Sequence, residues 1–187
     1  MVADGTHFNG LCCVDYGNAE TKNLDDGATT MEAIYTGNSR TWSAGQGVGP
    51  WVIADLENGL FGCADEHSCP NAPTVEYPFL VAMLKGRSGG TFALKLQTTY
   101  DGARPRDYEV MKKQGAIILG IGGNNNNWAE GSFYEGVMVS GNRDDAVEEQ
   151  VQANIVAAGY GSKTASATHR NSTRTAKPRR FHKSVVA

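Results

Sequence analysis

Residues 50–61 read Pro50-Trp51-Val52-Ile53-Ala54-Asp55-Leu56-Glu57-Asn58-Gly59-Leu60-Phe61: a strand, a turn and the start of a returning strand. Trp51, Val52 and Ile53 are aromatic or β-branched, and such side chains pack well on a pleated surface. Asn58-Gly59 supplies the pair that most readily takes the positive φ angles of a two-residue hairpin turn. A hairpin joins antiparallel strands, so this stretch points to an antiparallel β protein.

Short apolar runs between turn residues continue outward on both sides. Residues 29–36 (TTMEAIYT), 77–85 (YPFLVAMLK), 91–97 (TFALKLQ) and 132–139 (SFYEGVMV) each predict a strand. In 91–97 the alternation puts Phe92, Leu94 and Leu96 inward and Ala93, Lys95 and Gln97 outward. The run 115–121 (GAIILGI) is apolar throughout, which predicts a fully buried strand. One helix is predicted over 144–158, where Val147, Val151, Ile155 and Ala158 form a single apolar stripe. Asp144 and Asp145 suit its positive N-terminal end, Asp145-x-x-Glu148 resembles a capping box, and Gly159 suits its stop. The expected architecture is all-β, a sandwich or barrel with one late α-helix. Half a dozen strands is few for a complete sandwich.

A chain of 187 residues with 40% hydrophobic content has enough apolar mass for one domain with a core. No apolar run approaches the roughly 20 residues of a membrane helix. The start, MVADGTHFNG, has neither the basic end nor the apolar stretch of a signal peptide. Either the protein is cytosolic or this chain begins downstream of its natural start. Of the 17 basic and 20 acidic residues, seven basic and no acidic ones fall in 161–187, leaving a net charge of −10 in 1–160. So acidic a body argues against nucleic acid as a partner. The basic, Ser/Thr-rich segment 161–187 reads as a disordered tail or linker.

Three stretches carry residues of chemical interest. Asp55 and Glu57 are two apart on a strand and project from one face. Glycoside hydrolysis needs a carboxyl group on each side of the scissile bond, and one strand does not straddle a bond. One of the pair would then hold hydroxyls, with the second catalytic group coming from elsewhere. The loop 120–131 (GIGGNNNNWAEG) allows close backbone approach by a ligand, but position 125 is Asn where a dinucleotide fingerprint needs Gly. Cys63, Asp65, His67 and Cys69 do not have a standard zinc spacing. A local Cys63–Cys69 disulfide would leave Cys12 to pair with its neighbour Cys13, whose Cα lies about 3.8 Å away along a trans chain. That is shorter than the roughly 4.4–6.8 Å of ordinary disulfides. The alternatives are two reduced thiols in a core, or bonds to Cys63 and Cys69.

The blocks GTHFNGLCCVDYGNAET, MEAIYTGNSRTW, GPWVIADLENGLF, GARP, GAIILGIGG, GSFYEGVMVSG and VQANIVAAGY, in this order, resemble the catalytic domain of fungal α-L-arabinofuranosidase B, glycoside hydrolase family 54. The resemblance covers about residues 2–160. It implies a concanavalin-like (jelly-roll) β-sandwich and a secreted, retaining, exo-acting enzyme. Its partners would be arabinose-containing polysaccharides or oligosaccharides such as arabinan and arabinoxylan, with no membrane and no metal or other cofactor.

By the same resemblance Cys12–Cys13 is a vicinal disulfide that packs on the bound arabinose. Glu57 matches the nucleophile, Asp55 and Asn58 match residues that hold sugar hydroxyls, Trp42 lines the pocket, and Gly123 gives a backbone contact. The family's acid/base Asp follows the GIGG run, where this chain has Asn124. An amide can neither donate a proton to the leaving oxygen nor take one from water. Glu130 and Glu135 are the nearby carboxylates.

The resemblance places residue 1 about halfway through the family's catalytic domain, so several strands are expected to be missing. Cys63 and Cys69 are not a family feature. The tail stands where an arabinose-binding trefoil would follow. The alternative to an enzyme is a non-catalytic arabinose-binding protein, or an inactive fragment of the same fold.

Overall fold

The computed structural model describes residues 1–21, 27, 30–56, 60–61, 72–75, 77–95, 100–106, 108, 111, 114–123 and 126–161. Its strands are β1 (Val2–Phe8), β2 (Val14–Ala19), β3 (Met31–Gly37), β4 (Trp51–Asp55), β5 (Leu60–Phe61), β6 (Phe79–Val81), β7 (Met83–Gly86), β8 (Thr91–Lys95), β9 (Tyr100–Ala103), β10 (Ala116–Leu119) and β11 (Gly131–Glu135). A helix, α1 (Asp145–Ile155), follows, and a looser turn over Val156–Tyr160 prolongs it.

Every strand pairing among the described residues is antiparallel. The central sheet has five strands in the order β10-β2-β3-β4-β5. The hairpin read from residues 50–61 is present as β4–β5, with Asp55 opposite Leu60. The described residues also form two three-stranded sheets, β11-β1-β6 and β7-β8-β9. Both lay side chains on the same face of the central sheet. Leu80 from β6 and Phe92 and Leu94 from β8 form one buried cluster with Ile34, Val52 and Ala54. The result is a β-sandwich, with β3 buried from end to end because both of its faces are covered.

Alternation along the strands assigns the second face of the central sheet. Asp15 stands opposite Tyr35, Gly17 opposite Ala33, and Ala33 opposite Asp55. Directly opposed residues point the same way, so Asp15, Gly17, Ala33, Tyr35, Trp51, Ile53 and Asp55 share that face. At Gly17 a Cβ would lie 2.3 Å from the Ala33 Cα, so only glycine lets β2 and β3 approach this closely.

Several expectations change on contact with the structure. The single strand predicted over 77–85 is two, broken at Ala82, with its halves in different sheets. β10 is an edge strand rather than a buried one: Ile118 is buried, while Ile117 is 65% exposed. Ala93 is buried, not outward. Strands β1, β2 and β9 were not expected. Their segments VADGTHF, VDYGNA and YDGA are rich in Gly, Asp and Asn, which disfavour strands locally. Pairing overrides that preference, since β1 lies between β11 and β6, and β2 between β10 and β3.

The helix is present, with its details rearranged. Asp144 is the cap, its Oδ1 accepting from the Val147 N–H at 2.9 Å. Glu148 is therefore not part of a capping box. It forms ion pairs with Lys85 on β7 and Lys95 on β8, the latter at 2.6 Å. Burial opposes its charged form, but hydrogen bonds from both lysines outweigh this and hold its pKa below the usual 4.5. No residue of α1 is buried, so the predicted apolar stripe is only partly covered. Among the described residues no helix is long and apolar enough to cross a membrane.

Candidate functional site

The buried second face of the central sheet leads to the adjacent cysteines. Cys13 packs in a cluster with Tyr35, Trp51, Ile53 and Ala72, with Cys12 and Ala44 at its margin. The Sγ atoms of Cys12 and Cys13 are bonded to each other, and the peptide between them is cis. Cys13 Sγ, an Asp15 oxygen and an Asp55 oxygen all lie within 4.8 Å of one another. Both carboxylates are buried, at 0% and 6% exposure. Tyr35 stands between their strands, and its hydroxyl accepts a hydrogen bond from the Ser39 N–H at 3.0 Å. Burial, with the charges of Asp15 and Asp55 beside it, pushes the Tyr35 pKa far above 10. Tyr35 is therefore a neutral phenol at any ordinary pH.

Trp51 anchors this floor. It is fully buried, and its indole N–H donates to the Gln46 carbonyl at 2.7 Å. The Arg40 guanidinium sits 5.0 Å from its ring centre. A fixed aromatic under the sheet keeps the Ile53 and Asp55 positions of β4 from shifting.

Beside Cys12 a pocket of about 280 Å³ is lined by Leu11, Cys12, Trp42 and Trp128, with polar groups from Ser39, Thr41 and Asn126. Trp42 is half exposed there. The segment after β10 closes against the disulfide. The Gly120 N–H donates to the Asp15 carbonyl, and the Gly122 N–H to the Asn126 carbonyl, both at 2.8 Å. A Cβ on Gly122 would meet the Cys13 Cβ at 3.3 Å and its Sγ at 3.4 Å, so this glycine lets the loop lie on the sulfurs. Gly123 beside it is buried.

Of the residues singled out in the sequence, the structure brings Cys12, Cys13, Trp42, Asp55 and the Gly122–Gly123 segment to one place. Glu57, Asn58, Cys63, Cys69 and Asn124 lie outside the described residues, as does the segment 162–187. Glu135 is at the end of β11 and lines a different groove, beside α1. Asp15, Tyr35 and Trp128 were not singled out. For Asp15 a signal existed: it is two residues from Cys13 and on the face of a strand. Cys13, Asp15 and Asp55 are of the types that ligate metals, but a thiolate is the ligand form of cysteine and Cys13 is in a disulfide. The cluster therefore offers two carboxylates and no thiolate.

Comparison with known proteins agrees with this geometry. A family model described as "Alpha-L-arabinofuranosidase B, catalytic" matches residues 1–161. The chain belongs to that family. An alpha-L-arabinofuranosidase of Hypocrea jecorina is 54% identical over 168 residues, covering 85% of this chain and 34% of that protein. The alpha-L-arabinofuranosidase B of Aspergillus niger is 54% identical over 170 residues, covering 86% and 34%. The chain thus spans about a third of the length of these arabinofuranosidases. A solved arabinofuranosidase complexed with arabinofuranosyl-alpha-1,2-xylobiose superposes with a TM-score of 0.80 at 49% identity, over 91% of this chain and 37% of that one. A family 54 arabinofuranosidase soaked with a cyclic sulfate inhibitor gives 0.80 at 50% identity, over 89% and 37%.

Proposed function

We propose that the pocket over Cys12–Cys13 holds a terminal L-arabinofuranosyl residue, and that this chain carries the sugar-binding and nucleophilic parts of a retaining, exo-acting α-L-arabinofuranosidase. The observation that carries the reading is the joined pair of sulfurs, with Cys12 in a pocket beside Trp42 and Cys13 within 4.8 Å of the buried Asp15 and Asp55 carboxylates. A sugar ring has an apolar face and a hydroxylated edge. Cys12 and the indole suit the first, and the polar groups of Ser39, Thr41 and Asn126 in the lining suit the second. The solved relative that binds arabinofuranosyl-alpha-1,2-xylobiose supports an arabinosylated glycan as substrate. Arabinan and arabinoxylan side chains carry such termini, and polymers of that size are met outside the cell.

In this reading Glu57 attacks the anomeric carbon, and the glycosidic C–O bond breaks with its electron pair passing to the leaving oxygen. Water then opens the arabinosyl ester and regenerates Glu57. Asn58 and the Gly123 backbone join Asp55 in holding the sugar. Asn124 stands at the acid/base position and neither gives a proton to the leaving oxygen in the first step nor takes one from the attacking water in the second. General acid–base assistance is worth about 10²–10⁴ in rate.

Asn124 also favours a second reading, in which the same pocket binds arabinosides without turning them over. Hydrolysis of an aryl α-L-arabinofuranoside, whose leaving group needs little protonation, separates the two. The enzyme reading expects slow release by this chain, none by Glu57→Gln, and a rise of about 10²–10⁴-fold in Asn124→Asp. Binding of a methyl arabinofuranoside, with no release by the parent or by Asn124→Asp, would establish the second reading instead.

A further inference from the structure

Trp128 has a fixed main chain and an exposed ring. Its carbonyl accepts a hydrogen bond from Asn9 Nδ2 at 3.0 Å, and the same Asn9 side chain accepts from the Leu11 N–H at 3.1 Å. The loop that carries Trp128 is thereby tied to the segment that runs directly into Cys12. A Trp needed for packing would turn its ring inward, because it carries about 150–250 Å² of largely apolar surface. Trp128 is instead 71% exposed, against 51% for Trp42 in the same pocket. The two indoles come from separate segments, one after β3 and one after β10. An exposed aromatic on an anchored backbone, beside a pocket of one-sugar size, has the form of a binding platform.

We infer that Trp128 forms a second sugar subsite on the leaving-group side, where the glycan residue bearing the arabinose stacks on its indole. This rests on the arabinofuranose reading of the pocket. An exo-acting site is closed beyond the terminal sugar, and here Cys12, packed against the buried Cys13–Tyr35–Trp51 cluster, forms that closed end. The rest of the glycan must leave toward solvent, which is where the more exposed of the two indoles lies. The chemistry favours a pyranose without an exocyclic hydroxymethyl group. Xylose is such a sugar, with flat faces of C–H bonds that can lie on an aromatic ring. The subsite would therefore favour arabinose carried on a xylose backbone over arabinose carried on another arabinofuranose.

The test is calorimetric binding of methyl α-L-arabinofuranoside and of arabinofuranosyl-alpha-1,2-xylobiose to the whole chain, to Trp128→Ala and to Trp128→Phe. The parent should bind the xylobiose derivative more tightly than the methyl glycoside. Trp128→Ala should lose about five- to tenfold more affinity for the former than for the latter, while Trp128→Phe keeps most of both. Equal losses for the two ligands in Trp128→Ala would overturn the inference by placing the ring in the arabinose pocket itself. Unchanged affinity for both would overturn it too, as would a parent that does not distinguish the ligands. A parent that binds neither ligand removes the arabinofuranose reading, and this inference with it.

Discussion

Strand β3 and helix α1 are the two extremes of the molecule. All seven residues of β3 are buried, and none of the residues of α1 is. β3 is gripped on both faces, by the sandwich core through Ile34 and by the Tyr35–Trp51–Cys13 cluster on the other side. α1 is held chiefly by charge: Glu148 lies against Lys85 and Lys95, and Lys85 also donates to the Arg143 carbonyl at 3.0 Å. Its apolar residues Val147, Val151 and Ile155 line an open groove of about 1230 Å³. The difference teaches that the floor of the candidate site is shaped by packing within this chain, whereas the helix end is oriented without being sealed.

The largest effect should come from the sealed side. Trp51→Ala removes a fully buried ring and its hydrogen bond to Gln46, and should cost about 3–5 kcal/mol in denaturant unfolding. Arabinoside binding should go with it, because β4 carries Asp55. A loss below 1 kcal/mol would mean that the floor is no better packed than the helix.

Glu148→Gln should come next. It leaves Lys85 largely buried with a weaker partner, at a cost of about 1–3 kcal/mol. The sign with pH is fixed by the direction of the shift. The Glu148 pKa is lowered on folding, so its contribution is complete above the ordinary value of 4.5 and is lost as pH falls through the lower folded value. Unfolding midpoints should therefore drop more steeply for the parent than for Glu148→Gln as the solution is acidified below pH 4.5. Parallel curves would show that the ion pairs do not hold α1.

The smallest effect is expected in the groove. Val147 is 40% exposed, and Val147→Ser should change stability by no more than about 0.5 kcal/mol. A loss like that of a core valine would show the groove to be closed in solution, and the contrast with β3 would disappear.

How much of this was legible in the sequence depended on where each signal resides. The β4–β5 hairpin is written locally, in a β-branched run followed by Asn58-Gly59, and so it was readable. β1 and β2 are strands because of what lies beside them, and a segment such as VDYGNA does not advertise its neighbours. β10 misled for the opposite reason, since Ile117 and Leu119 are apolar but sit on a sheet edge. In the site, Trp42 was singled out through resemblance, the cysteines through their adjacency and Asp55 through its position on a strand. Asp15 becomes conspicuous only once register sets it opposite Tyr35. Trp128 looked like one more residue in a polar loop until the fold brought that loop to Cys12.

The break at Ala82 has a consequence for how this chain can change over time. β6 pairs with β1 and β7 pairs with β8, with only Ala82 between them. Leu80 and Ala82 are both buried in the sandwich core. One residue thus joins two ladders whose registers are each fixed by separate partners. Inserting or deleting a residue here cannot be absorbed by a loop, because it would slide one ladder by a full step and turn its inward side chains outward. Length variation in this fold should therefore collect elsewhere, and at Ala82 substitutions should be accepted where insertions and deletions are not.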